Sequence, residues 1–189
     1  WRTQDQALIS LWNEVRTRAD MITEKLVING PYSEDIGPNV FKRECEDEVI
    51  LCLNYDGKFG LNNMNNYFQA ANTKGEAIPW AEWSYKVGDP ILFNDSKRFE
   101  LLYNNLKGRI VDIEKHSGSI SFTVDVEIPL TELMCKRDGI EFIESIENGT
   151  RIRFAVYEYD ESKKGEDLDE NLRLKSVVPF QLAYAVSIH

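Results

Sequence analysis

Lys97, Arg98, Lys107 and Arg109 form two short basic clusters on either side of an Asn104-Asn105 turn. Ammonium and guanidinium groups so placed can hold phosphate oxygens by charge and hydrogen bonding. Screening over about 8 Å at physiological salt lets a local rim act despite acids elsewhere. Trp80, Trp83 and Tyr85 have faces on which bases stack, but their place between two sequence textures favours core packing. The acidic run Glu44, Glu46, Asp47 and Glu48 is read as a solvated approach to the next strand. A two-metal hydrolase needs carboxylates converging from several elements, and Asp125 and Glu127 are expected on an outer face instead. Cys45, Cys52, Cys135, His116 and His189 show neither a disulfide framework nor a zinc-ligand spacing. No metal site is expected, and a reduced, cytoplasmic setting follows. Asn94, Asp95, Asn104 and Asn105 are turn formers, Gly88 and Gly108 serve backbone geometry, and Gln69 and Asn62 receive no role.

Charge limits what these groups can do. The chain of 189 residues carries 32 acids and 22 bases, a net charge of −10. A body of that sign repels polyanions, so any nucleic-acid contact must rest on a local surface or on parts of a larger molecule. No apolar run approaches the ~20 residues that span a bilayer, and Trp1-Arg2-Thr3-Gln4-Asp5-Gln6 is not a signal-peptide opening; a membrane partner is not expected.

The elements follow from periodicity. Ala7, Leu8, Leu11, Trp12, Val15 and Ala19 recur at helical steps, with a Thr3/Gln6 capping pair ahead of them. Asn29 to Pro38 is turn-rich. Val49 to Leu53 is a continuous apolar run, expected of a strand covered on both faces. Asp56-Gly57 and Gly60 then break the chain before a helix with Leu61, Met64, Phe68 and Ala71 on one side and asparagines on the other. Such a glycine-containing strand exit is where α/β sheets usually bind ligands, yet no Gly-Lys-Ser/Thr ends this one. From Tyr85 the period becomes two: Ile91–Phe93, Arg109–Ile113, the alternating Ser119–Ile128, Ile140–Ile146 and Thr150–Tyr159 predict a small antiparallel barrel. Asp160 to Glu170 holds six acids against two lysines and reads as a solvated hairpin tip. Val177 to Val186 suits a short buried helix opened by Pro179, and an apolar end of this kind is expected of a piece cut from something larger.

Three stretches, taken in order, resemble the C-terminal region of superfamily 1 DNA helicases of the RecD-like or UvrD-like kind. Asp56-Gly57-Lys58-Phe59-Gly60 with the following Leu61–Gln69 is similar to the strand, glycine turn and helix of that family's second RecA-like domain. Val87-Gly88-Asp89-Pro90 through Asn94-Asp95, then Leu102 to Ile110, is similar to the opening of its inserted SH3-like barrel. Ala183-Tyr184-Ala185-Val186-Ser187-Ile188-His189 is similar to the lead into a helicase motif, with Ser187 where threonine is usual and without the Lys-x-Gln-Gly continuation. The resemblance spans about Val49 to His189.

It implies α/β architecture with an all-β insertion: a partial RecA-like, P-loop NTPase-type motor domain carrying a small antiparallel SH3-like β-barrel. Residues 1–84 would hold the N-terminal helix and part of the motor domain, 85–174 the barrel with its acidic hairpin, and 175–189 the return to the motor domain. It further implies single-stranded DNA and the remaining helicase domains as partners. Ser187 and His189 would lie near the DNA backbone, where a hydroxyl donates to phosphate and an imidazole donates or stacks. ATP and Mg would serve the parent protein. This chain has neither a P-loop lysine nor a Walker B acid, so no cofactor and no ATPase are expected of it alone. The rival reading is a non-catalytic acidic β-barrel module that binds a protein partner; an acid-dependent nuclease ranks last, for want of a catalytic motif.

Overall fold

The computed structural model describes residues 50–158 and 173–187, together with 6, 10, 26–27 and 32–33. The predicted first helix falls almost wholly outside these, although Gln6 and Ser10 are helical. The acidic runs at 44–48 and 160–170 and His189 also lie outside them. No helix among the described residues is long and apolar enough to cross a membrane. The chain divides into two compact units, 1–64 with 185–189 and 65–184.

In the first unit, β1 (Leu26–Val27) pairs antiparallel with β2 (Tyr32–Ser33). β3 (Ile50–Cys52) pairs in parallel with β12 (Ala185–Ser187), matching Ile50 to Ala185 and Cys52 to Ser187. A parallel pair of such short strands needs cover from other layers. Cys52 and Ala185 are buried, but Leu51 is 57% exposed, so β3 is covered on one face and not on the expected two. After β3 the chain turns tightly. A Cβ on Gly60 would lie 2.4 Å from the backbone carbon of Asp56, which makes this approach possible only for glycine. Helix α1 (Leu61–Ala71) starts here.

The second unit is built on a six-stranded antiparallel sheet in the order β11-β6-β7-β8-β10-β9. Its strands are β6 (Pro90–Phe93), β7 (Lys107–His116), β8 (Ser119–Val126), β9 (Glu141–Ile146), β10 (Gly149–Tyr157) and β11 (Phe180–Leu182). The period-two alternation seats Ile120, Phe122, Val124 and Val126 inward from β8. Opposite them on β10 stand Val156, Phe154 and Ile152 in direct register. A register shift between Ile110 and Asp112 lets β7 send both Ile110 and Ile113 inward, three positions apart, as a bulge does. Phe122, Phe154, Phe93, Tyr85 and Phe180 meet at centroid distances of 5.0–6.2 Å, mostly edge to face. Such pairs contribute about 0.5–1.5 kcal/mol each beyond burial.

The expected closed barrel is not present among the described residues: the sheet ends at β11 and β9 without pairing them. Side chains complete the core where hydrogen bonds do not. Phe99, Leu102 and Leu106 come from the β6–β7 connection, and Leu130, Cys135 and Ile140 from around helix α2 (Glu132–Arg137). Trp80 and Tyr85 come from the hairpin of β4 (Ile78–Trp80) and β5 (Trp83–Tyr85). The edge strand β9 shows mostly exposed residues, including Glu141 and Glu144, and outward charge discourages further pairing. The architecture is therefore mixed α/β with mostly antiparallel sheets and few helices.

One local expectation changes. The apolar tail is not a helix but β11 and β12. Phe180 and Leu182 are buried around a half-buried Gln181, which is a period of two, and Pro179 stands just ahead of the strand, where no ladder N–H is needed. Helix α2 fills a stretch between two predicted strands to which the sequence reading gives no element. Thr131 caps it by accepting from the Met134 N–H at 3.3 Å, and Lys136 and Arg137 occupy the last turn.

Candidate nucleic-acid interface and a buried carboxylate node

The predicted basic rim divides into two places. Lys97 and Arg98 sit in the turn after β6, where the Lys97 N–H donates to the Asp95 carboxylate at 2.8 Å. The Arg98 guanidinium donates to the carbonyls of Ala155 and Val177 and lies 4.6 Å from the Phe99 ring centroid. Burial pulls its pKa down, against smaller opposing effects of Tyr157 and Asp95. Lys107 and Arg109 alternate on β7 and are both exposed. Arg109 donates to the Gly88 carbonyl at 3.0 Å.

None of these four cations forms an ion pair among the described residues. The arginines of β10 do. Arg151 grips Asp125 at 2.7 and 3.0 Å and also meets Glu144. Arg153 bonds Glu114 at 2.6 Å and lies 3.7 Å from Asp112. Arg109, Asp125, Arg151 and Glu144 stand opposite one another across four strands. The outer face is thus an alternating charge row, with Asp125 engaged in cross-strand pairing.

Ser187 lies in β12 opposite Cys52 and is half-buried. At the strand exit, Leu61 N–H donates to Asn54 O and Asn62 N–H to Tyr55 O. The helix start therefore spends these donors on its own backbone and does not offer them to an anion. Of the aromatic trio, Trp80 and Tyr85 are core residues and Trp83 is 47% exposed. Burial pushes Tyr85 up to about 12.

The most organised polar feature is one that the sequence reading passed over. Asp89 is fully buried. Its Oδ2 accepts from Gln69 Nε2 at 2.6 Å and the Lys86 N–H at 2.8 Å; its Oδ1 accepts from Asn72 Nδ2 and Tyr184 OH, both at 2.8 Å. A buried carboxylate persists only when its lone pairs are satisfied in this way. Burial, with the Asp89 carboxylate next, raises the Tyr184 phenol above its ordinary range. Lys86 Nζ donates to the carbonyls of Gln69 and Asn72 at 3.1 Å each, closing the end of α1 with a cation. Gly88, at φ +88°, makes the turn that brings Asp89 in. Asn65, Gln69 and Asn72 are all buried and make a second, polar inward stripe, while Asn63 and Asn66 stay exposed. The signal available in sequence was their three- and four-residue spacing beside Val87-Gly88-Asp89-Pro90.

Among the described residues no three His, Cys, Asp or Glu gather into a metal-holding group. No protein-family model matches the chain, and no curated protein is significantly similar to it.

Proposed function

We propose that the chain is the rear part of an ATP-dependent superfamily 1 DNA helicase, comprising part of the second RecA-like domain and an inserted SH3-like β-domain. It contributes single-stranded DNA contact and motor closure, while ATP and Mg are held elsewhere in the parent. The observation that carries this reading is the parallel pairing of β3 with β12. Two strands far apart in sequence share one sheet, and a whole antiparallel β-structure lies between them in the chain, as an insertion into an α/β domain would. Lys97, Arg98, Lys107 and Arg109, which form no ion pair among the described residues, then supply phosphate contacts, and Ser187 and His189 would lie near the DNA backbone. With a net charge of −10, the grip is weak and salt-sensitive, which suits a motor that must let go in each cycle.

Fluorescence anisotropy with labelled oligo-dT tests it. The expected outcome is binding at low salt that fades as salt rises, is weakened by Lys107→Glu/Arg109→Glu, and comes with background-level ATPase. No binding at low salt, or vigorous ATPase, would refute the reading. The alternative, an acidic module for a basic protein partner, draws on exposed Glu141, Glu144 and Glu147 at and beside the β9 edge. Salt-sensitive capture of a basic protein without oligo-dT binding would select it.

A further inference from the structure

The turn at 96–98, the Asp138-Gly139 corner and the helical turn at 173–176 line a partly open cavity of 190 Å³. That is room for several waters, or for a small polyatomic ion with its remaining hydration. Three cations line it, Lys97, Arg98 and Lys175, against one carboxylate, Asp138. The carboxylate is already committed, accepting from the N–H groups of Glu100 and Leu101 at 2.9 Å each. It therefore holds the corner of the cavity, and its single charge leaves the lining net positive. None of the three has an ion-pair partner among the described residues.

Arg98 is the fixed element. Its plane rests on Phe99, and two carbonyls take two of its N–H donors. A guanidinium has five N–H groups in a rigid fork, so others remain for a ligand. Holding the fork in place before the ligand arrives removes much of the ordering cost of binding. A partly desolvated cation among two more, in a chain of net charge −10, is complemented by a compact oxyanion.

We infer that this cavity seats a phosphate group, with Arg98 as the oriented fork and Lys97 and Lys175 as flanking charges. The phosphate comes either from a free or monoester phosphate or from a polynucleotide backbone. The second source rests on the DNA-binding reading, since Lys97 and Arg98 are shared with it; the first does not.

The test is a titration of the whole chain with inorganic phosphate at ionic strength held constant with chloride, read by calorimetry and by amide chemical shifts. Saturable binding is expected, with shifts at Arg98, Phe99, Gly139 and Lys175. Lys97→Ala/Lys175→Ala changes two side chains that are exposed; it should weaken binding at least tenfold, while Lys115→Ala, outside the cavity lining, leaves it unchanged. Absence of saturable binding, or equal affinity in the double variant, overturns the inference. Oligo-dT that competes with phosphate at the cavity identifies the backbone as the source. Phosphate binding without such competition supports the cavity as a free or monoester phosphate site and removes it from the DNA-binding reading.

Discussion

Replacing Asp89 should be among the most damaging single changes in the second unit. In Asp89→Ala the four donors lose their acceptor together. Gln69 Nε2 keeps a second acceptor in Ser84 O, and Asn72 Nδ2 keeps Val87 O, both at 2.9 Å. The Lys86 N–H and the Tyr184 hydroxyl have no second acceptor among the described residues. Two stranded donors at ~1–3 kcal/mol each, less the relief of no longer burying a charge, give a loss of about 3–4 kcal/mol. Asp89→Asn keeps the volume but points an amide donor at donors, and about 2–3 kcal/mol is expected on the same grounds. Tyr184→Phe, which keeps the ring stacked near Phe68 and removes one hydrogen bond to a charged acceptor, should cost about 1.5–2 kcal/mol. Urea unfolding followed by tryptophan fluorescence, to which Trp80 and Trp83 of this unit contribute, measures all three. With a slope of ~2 kcal/mol/M, Asp89→Ala moves the midpoint down by about 1.5–2 M. Asp89→Ala combined with Tyr184→Phe should cost clearly less than the sum of the two, because both remove the same bond. An Asp89→Ala loss under about 1 kcal/mol, or strict additivity with Tyr184→Phe, would refute the node as the tie between α1, β6 and the strand exit at Tyr184.

Alkaline stability provides a second check. Tyr85 is raised from 10.0 to about 12 by burial, so its contribution is intact below pH 10 and is lost as the pH rises from there toward 12. Tyr85→Phe should flatten that part of the stability profile, and an identical slope in the variant would count against it. Glycine substitutions separate crowding from backbone preference. A Cβ on Gly149 would lie 1.9 Å from Val126 O, so Gly149→Ala should cost about 2–3 kcal/mol in the same urea assay. Gly118, at φ +79° with nothing nearby, should cost only about 1–2 kcal/mol as alanine; equal losses at the two positions would show that close approach does not matter.

Periodicity alone located β8, β10 and β9, because a strand buried on one face must alternate: Ile120, Phe122, Val124 and Val126 admit no other arrangement. It also located α1 and its Leu61, Met64 and Phe68 stripe, together with the glycine break before it. The tail was misread because a ten-residue apolar run carries little periodic information. Only pairing with β6 and β3 made it two strands. Barrel closure was equally invisible, since it depends on whether β9 and β11 meet, and that is settled by edge charge and by the side chains that fill the opening. The composition excluded bulk electrostatic attraction to polyanions and named the cations available for local contact. Their grouping needed the fold: Lys175 joins Lys97 and Arg98 across most of a domain's sequence, while Lys107 and Arg109 lie on a strand face. Asp89 shows the same division most plainly. Its neighbours Gly88 and Pro90 mark a turn from sequence, but three of the four hydrogen bonds that let its charge stay buried come from residues 17 to 95 positions away, and only tertiary structure brings such donors to one point.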